Sequence, residues 1–130
     1  MPVRSLNSSI IKWPNKEQVM LAAKNWAGLQ ANTHPHLVQL GVFGSYATNT
    51  WGVGSDLDLI AIICDSDIDA STSFEQRGIT WQTELLPVPA EIIVYTQSEF
   101  KNRLVKNDKF AKEVLKQAVW IFKKEDCNRC

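Results

Sequence analysis

Cysteine is scarce in this chain, and neither sign of charge is in excess. Three cysteines among 130 residues are an odd number, which does not make a disulfide framework. Cys64 lies inside an apolar run, and the other two end the sequence as CNRC. That lone CxxC reads as a solvated terminus, because a zinc site needs two further ligands and none is spaced nearby. Lys+Arg and Asp+Glu both number 14, so composition makes no electrostatic case for bulk nucleic-acid binding through a basic face; a local basic patch stays open, and the expected partner is a small molecule or a protein. No apolar run approaches the roughly 18 residues of a transmembrane helix. The opening stretch, MPVRSLNSSIIKWPNKEQ, has no long apolar core of a secretory signal, so a cytoplasmic location is expected. Internal repeats, low-complexity runs and long linkers are absent too. A single domain over residues 1–130 follows, and 45% hydrophobic residues suffice for one core.

What is present is a set of periodic segments. Asn15 is placed to cap a helix, and KEQVMLAAKNWAGLQ sets Val19, Ala22, Ala23 and Trp26 at helical spacing, an amphipathic helix. A short apolar strand over 37–43 stops at Gly44. DLDLIAIIC is a second strand with apolar residues on both faces, the pattern of a central, doubly covered strand. Residues 65–76 read as a polar loop. Ile79, Trp81 and Thr83 alternate, which predicts a third strand over 78–83, and the prolines of LPVPA mark a turn or a sheet edge. AEIIVYT is a strand over 90–96. Thr96 or Ser98 caps a following helix, Asn107 or Asp108 caps another, and AVWIFKK closes as a short strand or a helix end. The fold class is α/β (α+β): a small mixed β-sheet with helices packed against it.

The chemistry concentrates in GSYATNTWGVGSDLDLI, residues 44–60. Residues i and i+2 of a strand share a face, so Asp56 and Asp58 project together, with Ile60 and Ile62 behind them. Two carboxylates this close repel unless one is protonated or a cation sits between them. Oxygen ligands on a rigid strand suit Mg²⁺. Glu91 heads the 90–96 strand in the same layout, with Ile93 and Tyr95 behind it. If the two strands pair in register, three carboxylates converge, and two Mg²⁺ ions about 4 Å apart would bridge a triphosphate and an attacking hydroxyl. Each acid alone reads first as a solvated strand end. Gly44 and Ser45 follow a strand at a turn able to offer backbone N–H groups to phosphate. The sequence has no GxxxxGK[ST] P-loop and no dinucleotide fingerprint.

Together, Gly44-Ser45-Tyr46-Ala47, then Ser55-Asp56-Leu57-Asp58-Leu59, then an acid heading a later strand, resemble the DNA polymerase β-like nucleotidyltransferase superfamily. The short length is similar to its minimal nucleotidyltransferases, and the likeness covers residues 17–122. The resemblance implies that Asp56 and Asp58 are metal ligands, and that Glu91 is the third carboxylate, which deprotonates the acceptor hydroxyl or shares a metal. It further implies that Gly44, Ser45 and Ser55 belong to the nucleotide site. The reaction implied is attack of a hydroxyl on the α-phosphate of ATP or another NTP, with two Mg²⁺ ions and release of pyrophosphate. It also implies a partner: a small helical HEPN-type protein, with this chain as the antitoxin that adenylylates it, in a hetero- or homo-oligomer. The chain has Thr48-Asn49 where that family usually has Arg-Gly, and Glu91 where it usually has Asp. Those departures leave two alternatives open, a weak or inactive member that binds its partner by contact alone, and an enzyme acting on a small antibiotic-type molecule.

Other patterns are weaker. Asp65, Asp67 and Asp69 open like a calcium loop, but Ala70 and Gln76 stand where Gly and Glu are needed. His34 and His36 read as a solvated loop. Arg77 is placed either to contact phosphate or to pair with an acid, and Trp51 either to stack on a base or to cover the end of the sheet.

Overall fold

The computed structural model describes residues 14–65 and 74–124. Helix α1 (Lys16–Thr33) starts at a capping box in which Asn15 accepts from the Gln18 N–H and the Gln18 side chain accepts from the Asn15 N–H, satisfying donors the first turn cannot pair internally. Strand β1 (Leu37–Phe43), a four-residue helix α2 (Ser45–Thr48) and strand β2 (Leu57–Ile63) follow. Two 3₁₀ segments, Phe74–Thr80 and Thr83–Leu85, lead to β3 (Ala90–Thr96). Helices α3 (Gln97–Val105) and α4 (Lys109–Gln117) and strand β4 (Val119–Lys123) complete the described chain. Thr96 caps α3 and Asp108 caps α4, each accepting a backbone N–H three residues on, and the closing segment takes the strand alternative.

The sheet order is β3-β2-β1-β4, with β2 parallel to β3 and antiparallel to β1, and β4 antiparallel to β1. Alternation along β2 divides two cores. Leu57, Leu59, Ala61 and Ile63 face α1, where Val19, Ala23, Trp26 and Ala27 pack with Leu40, Val42 and Val94. Ile60 and Ile62 face α3 and α4, with Tyr95, Phe100, Ala111 and Val114. β2 is thus covered on both faces, as its unbroken apolar run requires. Cys64, just beyond it, is buried and disulfide-bonded. The terminal CNRC lies outside the described residues. Among the described residues, no helix is long and apolar enough to cross a membrane.

The expected third strand over 78–83 is not formed. Its alternation suggested one shared face for Ile79 and Trp81, but Ile79 is 75% exposed and Trp81 2%. The backbone closes a short turn there, Trp81 N–H to Gly78 O at 3.1 Å, and Gln82 takes a positive φ of 37°, which ends extended structure. One large ring anchored in the core, under which His34 stacks at 3.8 Å, explains the segment better than strand propensity does.

Arg77 ties this segment to β3 and α3. Its guanidinium donates to Glu99 at 2.6 and 2.8 Å and to the Val94 carbonyl at 3.2 Å, while Glu99 also accepts from the Thr96 N–H. The Arg77 hydrogen bond, more than any other influence, holds the Glu99 carboxyl below its usual range. A lowered carboxylate contributes stability that is fully present above the unfolded pKa and is lost as pH falls through the folded one. Arg77→Gln is therefore expected to cost about 1–2 kcal/mol at neutral pH. In thermal unfolding, the gap from wild type closes as pH falls below the ordinary carboxylate range.

Candidate functional site

Asp58 and Glu91 come together at the end of the sheet where β2 and β3 both begin, with Asp56 just ahead of β2. The parallel register makes Asp58 the direct partner of Glu91, and neighbouring strands lie about 4.8 Å apart. The Leu57 N–H donates to the Pro89 carbonyl at 2.8 Å, fixing this register where the strands start. Asp56 lies one residue ahead of β2 rather than within it, and is exposed. Asp58 is half-buried and Glu91 exposed. Asp58 shares its face with Ile60 and Ile62, and Glu91 with Ile93 and Tyr95, toward the α3–α4 core, as the spacing predicts.

Burial first, then the charge of Glu91, then that of Asp56, pushes the Asp58 carboxyl above its ordinary range. Asp58 therefore feels both other acids. Among the described residues, however, no three His, Cys, Asp or Glu side chains stand close enough to share one ion as they are. The donors are all oxygen and the acids repel one another, conditions that suit a hard divalent cation.

Gly44 makes this packing possible. Its φ is 76°, a region disfavoured for residues with a Cβ, and a Cβ there would collide with the Asp58 carboxylate. The turn at the end of β1 thus lies directly against the acid. Ser45 follows, half-buried, as the first residue of α2. Asn49 closes α2 in the left-handed region (φ 66°, ψ 28°), its N–H donating to Ser45 O. Asn tolerates that conformation better than most residues do, which explains how it stands where the family usually has glycine. Sequence reasoning missed Lys16, whose ammonium donates to Asn49 Oδ1 at 2.9 Å across 33 positions; no local pattern signals a contact that far apart.

The remaining predicted residues divide clearly. The Ser55 hydroxyl accepts from the Gly52 N–H at 2.8 Å, and the Ser55 N–H donates to Gly52 O at 2.9 Å, so Ser55 braces the loop before Asp56. Trp51 stacks on buried Tyr46 with ring centres 5.6 Å apart, the covering role. Arg77 is engaged toward the far end of β3, about 16 Å of strand separating Glu91 from Thr96, and does not reach the acids. The expectation of a solvated His34 is corrected: the ring packs on Trp81, and its Nε2 lies 3.3 Å from Thr80 O. Asp65 accepts from the Ser98 N–H and hydroxyl, while Asp67 and Asp69 lie outside the described residues. A cavity of about 500 Å³ lined by Tyr95, Glu99, Asn102, Arg103, Lys106 and Asp108 opens near the far end of β3 and contains none of the predicted site residues.

The family model for the nucleotidyltransferase domain matches residues 30–121, more than half of the chain. The chain belongs to the nucleotidyltransferase domain family. Among solved structures, this nucleotidyltransferase is similar in fold to a protein from Sulfolobus solfataricus, with 20% identity, a TM-score of 0.60 and 86% of each chain covered. It is also similar to a chain of a toxin–antitoxin structure solved with AMP-PNP, with 16% identity, a TM-score of 0.52, and 78% of this chain and 74% of that one covered. No curated protein matches the sequence.

The raised Asp58 carboxyl has a stability consequence. A carboxyl raised on folding costs nothing below its unfolded pKa, and its full cost is felt only above the raised folded value. In metal-free buffer at neutral pH, Asp58→Asn is expected to melt a few degrees above wild type, an effect kept small because solvent still reaches the half-buried carboxyl and screens its neighbours. The two melting temperatures converge as pH falls below the ordinary carboxylate range.

Proposed function

We propose that this nucleotidyltransferase transfers a nucleoside monophosphate, AMP from ATP in the first instance, to a hydroxyl acceptor. The observation that carries this reading is the strand register that sets Asp58 beside Glu91, with Asp56 adjoining and the Gly44 turn against Asp58. The family supports the class of reaction.

Asp56, Asp58 and Glu91 are the residues that would hold two Mg²⁺ ions. Such ions, when bound, neutralise charge on the phosphates and lower the pKa of the attacking hydroxyl. Asp58, crowded by burial and by two like charges, is stabilised when a cation is bound beside it. The turn at Gly44 and Ser45 orients the β- and γ-phosphates through a hydroxyl and backbone N–H groups. Glu91, exposed at the head of an edge strand, faces the side from which an acceptor arrives and takes the acceptor proton. Its extra methylene, relative to Asp, lets it reach across the strand spacing. Ser55 acts indirectly, by holding the loop that presents Asp56.

The acceptor we favour is a protein. The fold-similar toxin–antitoxin structure, solved with AMP-PNP, supports a role for this chain as an antitoxin that adenylylates a HEPN-type partner. A second reading, neutralisation of that partner by contact alone, draws on Glu91 standing where the family usually has Asp and on Thr48-Asn49, which bring no charge to the turn.

Calorimetric titration of Mg-ATP into wild type and Asp58→Ala tests the reading. Saturable binding is expected, with Kd in the ~1 μM–1 mM range ordinary for substrates. It should require Mg²⁺ and weaken at least roughly tenfold in Asp58→Ala. Silence in the wild type at millimolar nucleotide would sink the enzyme reading for the isolated chain and favour the contact-only module.

A further inference from the structure

Lys16 is distant from the acids in sequence and close to their turn in space. It opens α1, and its only hydrogen-bond partner among the described residues is the neutral side-chain oxygen of Asn49. Asn49 is itself joined to Ser45 by its backbone N–H, and the next N–H, of Thr50, also donates to Ser45 O at 2.9 Å. The ammonium is therefore bonded to a residue that lies one helical turn from Ser45.

Local helix electrostatics do not favour that placement. The first turn of a helix is the positive end of its dipole, where a cation is disfavoured. Lys16 is partly buried, yet the ion pairs among the described residues are those of Arg77 with Glu99 and Arg103 with Asp108. Three other cations are engaged elsewhere: Arg77 near the far end of β3, Arg103 over Tyr95, and Lys124 on the Pro35 carbonyl. The turn itself contributes Gly44, Ser45, Tyr46, Ala47 and Thr48, none of them charged.

We infer that Lys16 binds the terminal phosphates of the nucleotide, bringing from α1 the positive charge that the turn does not carry. This rests on the nucleotide reading of the site. A lysine serves a phosphate as a compact point charge, and Asn49 holds the ammonium at the turn before the nucleotide arrives.

The test is calorimetric titration of Mg-ATP and Mg-AMP into the full chain as wild type, Lys16→Met, Lys16→Arg and Lys16→Gln, each checked by thermal melting. Lys16→Met is expected to raise the Kd for Mg-ATP about tenfold, the change made by one hydrogen bond to a charged group, while the Kd for Mg-AMP stays within about twofold. Lys16→Arg should restore most of the loss. Should Lys16→Met melt early, Lys16→Gln, which keeps a donor for Asn49 and removes the charge, must show the same split between ATP and AMP. Equal Mg-ATP affinity in wild type and the neutral variants overturns the inference alone. Equal weakening toward ATP and AMP also overturns it, since that marks Lys16 as a brace for Asn49. A wild type that binds no Mg-ATP overturns the nucleotide reading and this inference with it.

Discussion

The parallel pairing of β2 with β3 is the constraint on which the site depends. Parallel strands begin at the same end of a sheet, so acids that head each strand meet there. Side chains alternate with a period of two, and a slip of one residue would turn Glu91 to the opposite face. The slip is prevented by packing rather than by the acids. Ile60 and Ile62 on β2 and Tyr95 on β3 belong to one core beneath α3 and α4, while Leu57, Leu59 and Val94 belong to the other. Moving β3 by one position would exchange these sets. The hydrophobic effect therefore holds in place three carboxylates that would otherwise move apart.

That arrangement has a cost in the absence of a cation. Asp58 is partly withdrawn from water and faces two like charges, and no described basic side chain is paired with it. Gly44 adds to the constraint, because its missing Cβ is what allows the turn to close against Asp58. A residue chosen for stability would relax this corner by neutralising Asp58 or by moving the turn away. A partly buried acid set beside two like charges and against a glycine turn is the pattern expected of a site shaped by function rather than by folding.

Much of this was legible in the sequence because it follows short-range rules. Strands 37–43 and 90–96 follow from apolar runs bounded by glycine, proline and a cap, and the faces of Asp58 and Glu91 follow from period two. The cap at Asn15, and the pairs Thr96 or Ser98 and Asn107 or Asp108, follow from which side chains accept a backbone N–H, and the structure selects Thr96 and Asp108. What was not legible depends on distance. The 78–83 segment alternates like a strand, but the fit of Trp81 into a core built by α1 and the sheet overrides local propensity. Arg77 could be read toward a phosphate only while its partner Glu99, 22 positions away, was unknown. The register of β2 with β3 was a condition in the sequence and becomes an observation in the structure.

The turn after β1 shows how two roles usually carried by adjacent residues can be separated. An Arg-Gly pair would supply a charge and a left-handed backbone together. Here the backbone role stays in place, with Asn49 in the left-handed region at the end of α2, so the path from the turn to the Asp56 loop is preserved. The charge need not occupy the neighbouring position, because an ammonium acts through space. α1 packs on the sheet face that also buries Tyr46, and this packing carries its first residue to Asn49. The same α1-side core that secures the sheet thereby brings a cation to a turn whose own residues have none.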